Sequence, residues 1–365
     1  MDVMELIKVA SDLKASDLHL VIDSPPLVRI NGELQALKNQ HELTSHDIDV
    51  ALTQITDEEQ RQKFLENKEL DFACSPDECG RLRCNVARQM HGINLAIRLL
   101  PPKVPTIDEL ELPQILKDLV MQPRGLLLVT GPTGSGKSTT LAAMIHHLNQ
   151  TGGLHIITIE DPIEYVHRRI KCAITQRQLG DDTNSYPMAL RHILRQNPDV
   201  IMLGEIRDPD TAAAALSVAE TGHLVLSTSH APSAPQAIER IIDLFAPHER
   251  HLAEARLASL LVAVVCQTLV PRANGNGRIA AVEVLIASPA AKSMIREGKV
   301  HHLHNIITTS RESGMVTMDE ALADLYKAGA ISLKTVMSTC NDSNEVKKYL
   351  GSQSASFSDK KKAAG

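Results

Sequence analysis

The chain has 365 residues, of which 43% are hydrophobic, 22% charged and only 2% aromatic, and it carries a formal net charge of −6. That balance supports two globular domains with an aliphatic core and argues against a surface that binds nucleic acid chiefly by neutralising phosphates, while leaving room for a local basic lining. No apolar run is long enough to cross a bilayer and no leader pattern opens the chain, while six cysteines are too few for a disulfide scaffold, so a reducing cytoplasm is expected, without membrane insertion.

The first hundred residues alternate short helical and strand-like pieces. A helix is expected over 6–13, strands over 18–22 and 27–30, and a tight turn at Asn31-Gly32. A helix over 45–66 follows, with Ser45 or Asp47 available as its cap, then strands over 81–87 and 93–99. Residues 1–100 thus read as a small α+β domain. Pro101, Pro102, Pro105 and Pro113 cluster in a stretch with little regular pattern, which marks 101–113 as a semi-rigid linker. Cys74, Cys79 and Cys84 recur at a spacing that matches no usual zinc motif, and they are read as ordinary half-buried thiols.

From 114 to 350 the pattern changes. Continuous apolar runs at 126–130, 156–159, 200–203, 224–227 and 279–285 alternate with helical segments, which indicates βαβ units and an α/β fold with a mainly parallel sheet. The tail 351–365 is rich in Ser and Lys with little to bury, and disorder is expected there.

Gly131-Pro132-Thr133-Gly134-Ser135-Gly136-Lys137-Ser138-Thr139 satisfies G-x-x-x-x-G-K-[ST] after a buried strand and before a helical run. The glycines let backbone N–H groups turn inward around phosphates, Lys137 can reach the β and γ oxygens, and the Ser138 hydroxyl can ligate Mg²⁺. ATP and Mg²⁺ are the expected ligands.

In an open parallel sheet, ligands gather outside the carboxyl ends of the strands. The residues found there are Glu160, Asp161 and Glu164 after one run, Glu205 after another, and Ser227, Thr228 and His230 after a third. An ATP-hydrolysing site needs one carboxylate on the metal side and another to orient the attacking water. Glu205 occupies the metal-side position, where Asp is more usual. The acidic cluster 160–164 reads either as the source of the water-orienting group or as a turn-forming group. His223 and His230 flank one strand at a separation that places them on opposite faces unless the strand ends first, and each alone reads as a structural histidine.

Several blocks together resemble the secretion-type ATPases, most closely the type IV pilus retraction motors. They are Ala15-Ser16-Asp17-Leu18-His19-Leu20, Pro25-Pro26-Leu27-Val28-Arg29-Ile30-Asn31-Gly32, the loop 131–139, Thr158-Ile159-Glu160-Asp161-Pro162-Ile163-Glu164, the stretch from Leu194 to Asp208, and Thr221-Gly222-His223. The resemblance implies a PAS-like amino-terminal domain joined to a RecA-like P-loop ATPase domain, assembled as a homo-hexamer that hydrolyses ATP to retract pili in twitching motility. It implies that Glu164 polarises water and that Glu205 serves the Mg²⁺ side. Arg83 and Arg98 match amino-domain arginines that enter the nucleotide site, and His223 and His230 match the family's histidine box. Its implied partners are an inner-membrane pilus platform protein, which holds the motor peripherally at that membrane, and a paralogous pilus ATPase. Two stretches depart from the family pattern: Thr228-Ser229-His230-Ala231-Pro232, and the helix linked to retraction, which here reads Ala290-Ala291-Lys292-Ser293-Met294-Ile295-Arg296-Glu297.

Extension and secretion motors of the superfamily carry a long extra amino-terminal domain and a tetracysteine zinc insert, neither of which fits this length and these cysteine spacings. A divergent secretion-system or accessory pilus ATPase is the alternative. A RecA-type nucleic-acid motor would need a basic groove or aromatic stacking platforms, and the acidic balance and low aromatic content disfavour both, so no direct nucleic acid is expected.

Overall fold

The structure is a computed structural model that describes residues 2–30, 32–76, 80–100 and 103–351. Asn31 of the expected turn, Cys79, the pair Pro101-Pro102 and the tail beyond residue 351 lie outside the described residues. The chain divides into two compact units, one of residues 1–104 with 162–166, the other of residues 105–161 with 167–365.

The first unit is a six-stranded antiparallel sheet with helices on one face. Its strands are β1 (Asp17–Leu20), β2 (Leu27–Ile30), β3 (Glu33–Ala36), β4 (Glu69–Cys74), β5 (Leu82–Gln89) and β6 (Gly92–Leu99), in the order β3-β2-β1-β6-β5-β4. Side chains alternate along a strand, so Leu18 and Leu20, Leu82, Cys84 and Val86, and Ile93, Leu95 and Ile97 share one face. There they pack with Val3, Leu6 and Ile7 of the helix Val3–Asp12 and with Ile48, Ala51 and Leu52 of the helix Ser45–Ile55. Cys74 and Cys84 lie in this packing with their sulfurs 3.9 Å apart.

The single helix expected over 45–66 is two helices, Ser45–Ile55 and Glu58–Asn67. Asp57 breaks it by accepting from the Gln60 N–H, while Gln60 returns the bond to the Asp57 N–H, a capping box that starts a new helix. Thr44 rather than Ser45 or Asp47 caps the first helix, and Asp47 is its reciprocal partner. Strands β3 and β4 edge the sheet and were not expected. All four residues of β3 are exposed, so no apolar run marks it.

The second unit holds a seven-stranded sheet of β7 (Gly125–Thr130), β8 (His155–Glu160), β9 (Ala173–Gln178), β10 (Val200–Leu203), β11 (Leu224–Thr228), β12 (Leu261–Pro271) and β13 (Arg278–Ile286). The order is β13-β12-β7-β11-β10-β8-β9, and every neighbouring pair is parallel except β12 with β13. Every residue of β7 is buried because both faces of the sheet are covered. On one face Leu127 and Val129 pack with Leu141, Met144, Ile145 and Leu148 of the helix Lys137–Thr151. On the other, Leu126 and Leu128 pack in a core shared with the helices Pro209–Glu220 and Ala234–Asp243. Residues 105–113, expected as linker, belong to this unit, because Ile107 and Leu112 among the prolines are buried in its core with Leu116. Among the described residues no helix is long and apolar enough to cross a membrane.

Candidate functional site

Strand β7 is flanked on both sides, by β12 and β11, so the loop that follows it opens at the middle of the sheet's carboxyl edge. Gly131, Gly134 and Gly136 all have positive φ, 140°, 78° and 90°, in the left-handed region that residues with a Cβ rarely adopt. The chain then enters the fifteen-residue helix Lys137–Thr151, whose amino end faces the loop and favours an anion there.

Lys137 is folded back over the loop. Its Nζ donates to the carbonyl oxygens of Gly131 at 2.9 Å and Pro132 at 3.1 Å, and it lies 3.3 Å from Nδ1 of His230. On the far side of the ring, His230 Nε2 stands 3.1 Å from Glu205 Oε1. An ammonium has only donors, so Nδ1 is placed to accept from Lys137 and Nε2 to donate to Glu205, and the ring bridges the loop lysine to the strand-end carboxylate. Glu205 Oε2 meets Arg207 Nη2 at 2.7 Å. The ends of β10 and β11 are tied together as well: Thr228 donates its hydroxyl proton to the Gly204 carbonyl at 2.5 Å, and the Ile206 N–H donates to the Thr228 carbonyl. His230 reaches this position because β11 ends at Thr228, which frees it from strand alternation.

His223 stands at the other end of β11. Its Nδ1 lies 3.0 Å from Thr221 Oγ1 and 3.2 Å from the Val218 carbonyl oxygen, and its own carbonyl accepts from the N–H of Gly125, the first residue of β7. The five-residue strand between the two histidines spans about 16 Å, so His223 is not brought to the loop.

The acidic cluster 160–164 is split. Glu160 is the last residue of β8, 9% exposed, and its Oε1 accepts from the Thr158 hydroxyl at 2.6 Å and from Gln176 Nε2 at 3.0 Å. Asp161 stays in the second unit, where its charge, with those of Glu205 and Glu160, adds to burial in pushing the Tyr186 phenol up. A Cβ on Gly204 would come within 2.8 Å of the Tyr186 hydroxyl. Tyr186 was not anticipated; it lies in a stretch without apolar periodicity that points to the strand ends. Glu164 belongs to the first unit, in an irregular segment whose Ile163 carbonyl accepts from Arg81 Nε at 2.8 Å.

In the first unit, Arg83 of β5 and Arg98 of β6 are direct cross-strand partners, and Asp17 of β1 is the partner of Arg98 on its other side. Arg98 Nε donates to Asp17 Oδ1 at 2.9 Å, Ser16 donates its hydroxyl proton to Asp17 Oδ2 at 2.7 Å, and Arg29 Nε lies 3.9 Å from that oxygen. The sheet face opposite the helices therefore carries a row of three arginines around one carboxylate.

Gln267 of β12 was also not anticipated. It is 1% exposed and touches the phosphate loop through both ends of its amide, donating from Nε2 to the Ser135 carbonyl at 2.6 Å and accepting at Oε1 from the Thr140 hydroxyl at 2.8 Å. The run 261–271 follows the helix Arg250–Leu260 without an intervening turn, so nothing in the sequence separates strand from helix there.

The family model for type II/IV secretion system proteins matches residues 3–338. The chain is 41% identical over 357 residues to the type IV pilus ATPase PilU of Pseudomonas aeruginosa, covering 97% of this chain and 93% of that one. It is 42% identical over 332 residues to the type IV pilus retraction ATPase PilT of the same organism, covering 91% and 96%. The crystal structure of the pilus retraction motor PilT with bound ADP matches at a TM-score of 0.88 and 42% identity, covering 94% of this chain and 98% of that one.

Proposed function

The chain belongs to the type II/IV secretion system protein family, and from that membership we propose that it is an ATP-hydrolysing motor of type IV pilus retraction, acting as a homo-hexamer. The observation that carries the reading is the contact chain from Lys137 through His230 to Glu205, which gathers a phosphate-loop lysine, a histidine and a strand-end carboxylate at one edge of the sheet.

The β and γ phosphates of ATP lie against the N–H groups of the loop 131–139, and Lys137 donates to their oxygens. A hydroxyl on Ser138 and a carboxylate on Glu205 are hard oxygen donors of the kind Mg²⁺ takes, so these two residues are the ones that would hold it. When bound, Mg²⁺ neutralises charge on the phosphate oxygens. Glu164 polarises the attacking water, and His230 keeps Glu205 oriented. Arg83 and Arg98, supplied by a neighbouring copy, stabilise the charge that develops on the transferred phosphoryl group. An inner-membrane pilus platform protein passes the resulting motion to the filament and holds the motor at the membrane.

The accessory role, beside a paralogous pilus ATPase, is the second reading, and it draws on the divergence of residues 228–232 and of the helix Pro289–Arg296 from the retraction pattern. Deleting the gene and counting surface filaments separates the two. Accumulation of filaments, reversed by the wild-type gene but not by Lys137→Ala, is expected for a retraction motor. Unchanged filament number and unchanged twitching contradict it.

A further inference from the structure

Gln267 follows the strand residue Cys266, which pairs with Thr130 at the mouth of the phosphate loop. Ser135 offers its carbonyl to the amide, so the NH₂ end must face Ser135, which leaves Oε1 for the Thr140 hydroxyl and fixes the orientation of the side chain. In a planar trans peptide the C=O and the next N–H point in opposite directions. Holding the Ser135 carbonyl toward β12 therefore turns the Gly136 N–H away from β12. The backbone of the same residue presses on the loop's first glycine: a Cβ on Gly131 would come within 2.2 Å of the Gln267 carbonyl oxygen, and one on Gly136 within 3.1 Å of its Nε2.

We propose that Gln267 is a positioning residue for nucleotide binding: through Ser135 and Thr140 it fixes the Ser135–Gly136 peptide plane, so that the loop's N–H groups are aligned before a polyphosphate arrives. The inference rests on the reading of the loop as an ATP site. Contacts from loop N–H groups to the non-reacting phosphates persist from ground state to transition state, so losing their alignment weakens binding and leaves turnover of bound ATP nearly intact.

The test measures ADP affinity by calorimetry, kcat and KM for ATP, and thermal melting for the wild type, Gln267→Met, Thr140→Val and Thr140→Ser. Met matches the size of Gln and lacks the donor. Gln267→Met should weaken ADP binding and raise KM by about ten-fold, with kcat within about three-fold. Thr140→Val should raise KM by about three-fold, and Thr140→Ser, which keeps the hydroxyl, should restore the wild-type value. If Gln267→Met does not fold, the Thr140 pair decides: equal KM for Val and Ser overturns the inference. A folded Gln267→Met with wild-type ADP affinity overturns it too. A wild type that binds no ADP overturns the reading of the loop itself, and the inference with it.

Discussion

Nζ of Lys137 lies 3.3 Å from Nδ1 of His230, and the opposite nitrogen of the same ring faces Glu205. One imidazole ring thus joins the loop lysine to the carboxylate proposed for the metal side. Removing the ring deletes the hydrogen bond that orients Glu205, and one such bond to a charged group is worth about 1.5–3 kcal/mol. His230→Ala should therefore turn over ATP about ten- to a hundred-fold more slowly. His223→Ala leaves the contacts of Lys137 and His230 in place, so its kcat should stay within about three-fold of the wild type. Equal kcat for His230→Ala and wild type would remove His230 from the site.

Arg83 and Arg98 stand side by side on adjacent strands in the first unit, whereas the loop belongs to the second. If copies share their sites, two inactive chains can complement each other. Arg83→Ala mixed with Lys137→Ala should recover part of the phosphate release that each lacks alone, since some sites then combine an intact loop with an intact arginine. No recovery at any mixing ratio speaks against shared sites.

Asp17 offers a pH test of the arginine row. Burial alone raises its pKa, but hydrogen bonds from Ser16 and Arg98 and the charge of Arg98 outweigh burial and hold the carboxyl below the usual range. A carboxylate whose folded pKa is depressed contributes stability above its unfolded pKa and loses it as pH falls through the folded value. The urea midpoint of the wild type should exceed that of Asp17→Asn at neutral pH, and the gap should begin to close below about pH 4, near the unfolded pKa of Asp. A gap that stays constant through this range would mean the ion pair adds no stability.

The loop 131–139 was legible because a chemical pattern coincides with a strand-to-helix transition, and both are local. The central parallel strands were legible from apolar runs for the same reason. The break at Thr56–Asp57 was hidden by a helical periodicity that continues across it, and only the Asp57–Gln60 pair marks the restart. The split of the cluster 160–164 was invisible because neighbours in sequence hide that the chain passes from one compact unit to the other after Asp161. The pairing of Arg83 with Arg98 was implicit in the turn between Gln89 and Gly92, since antiparallel register fixes each later partner once the turn is placed. Gln267 acts across the fold from the loop it touches, 132 residues from Ser135, and no local pattern carries that information.

Steady-state phosphate release from ATP by the purified protein decides whether ATP is hydrolysed at the loop 131–139. Lys137→Ala and Glu164→Gln are assayed beside the wild type. The wild type should release phosphate, Lys137→Ala should neither bind nor turn over nucleotide, and Glu164→Gln should bind ATP yet release phosphate at least ~100-fold more slowly. Phosphate release by Lys137→Ala at the wild-type rate would mean that ATP is not hydrolysed at this loop.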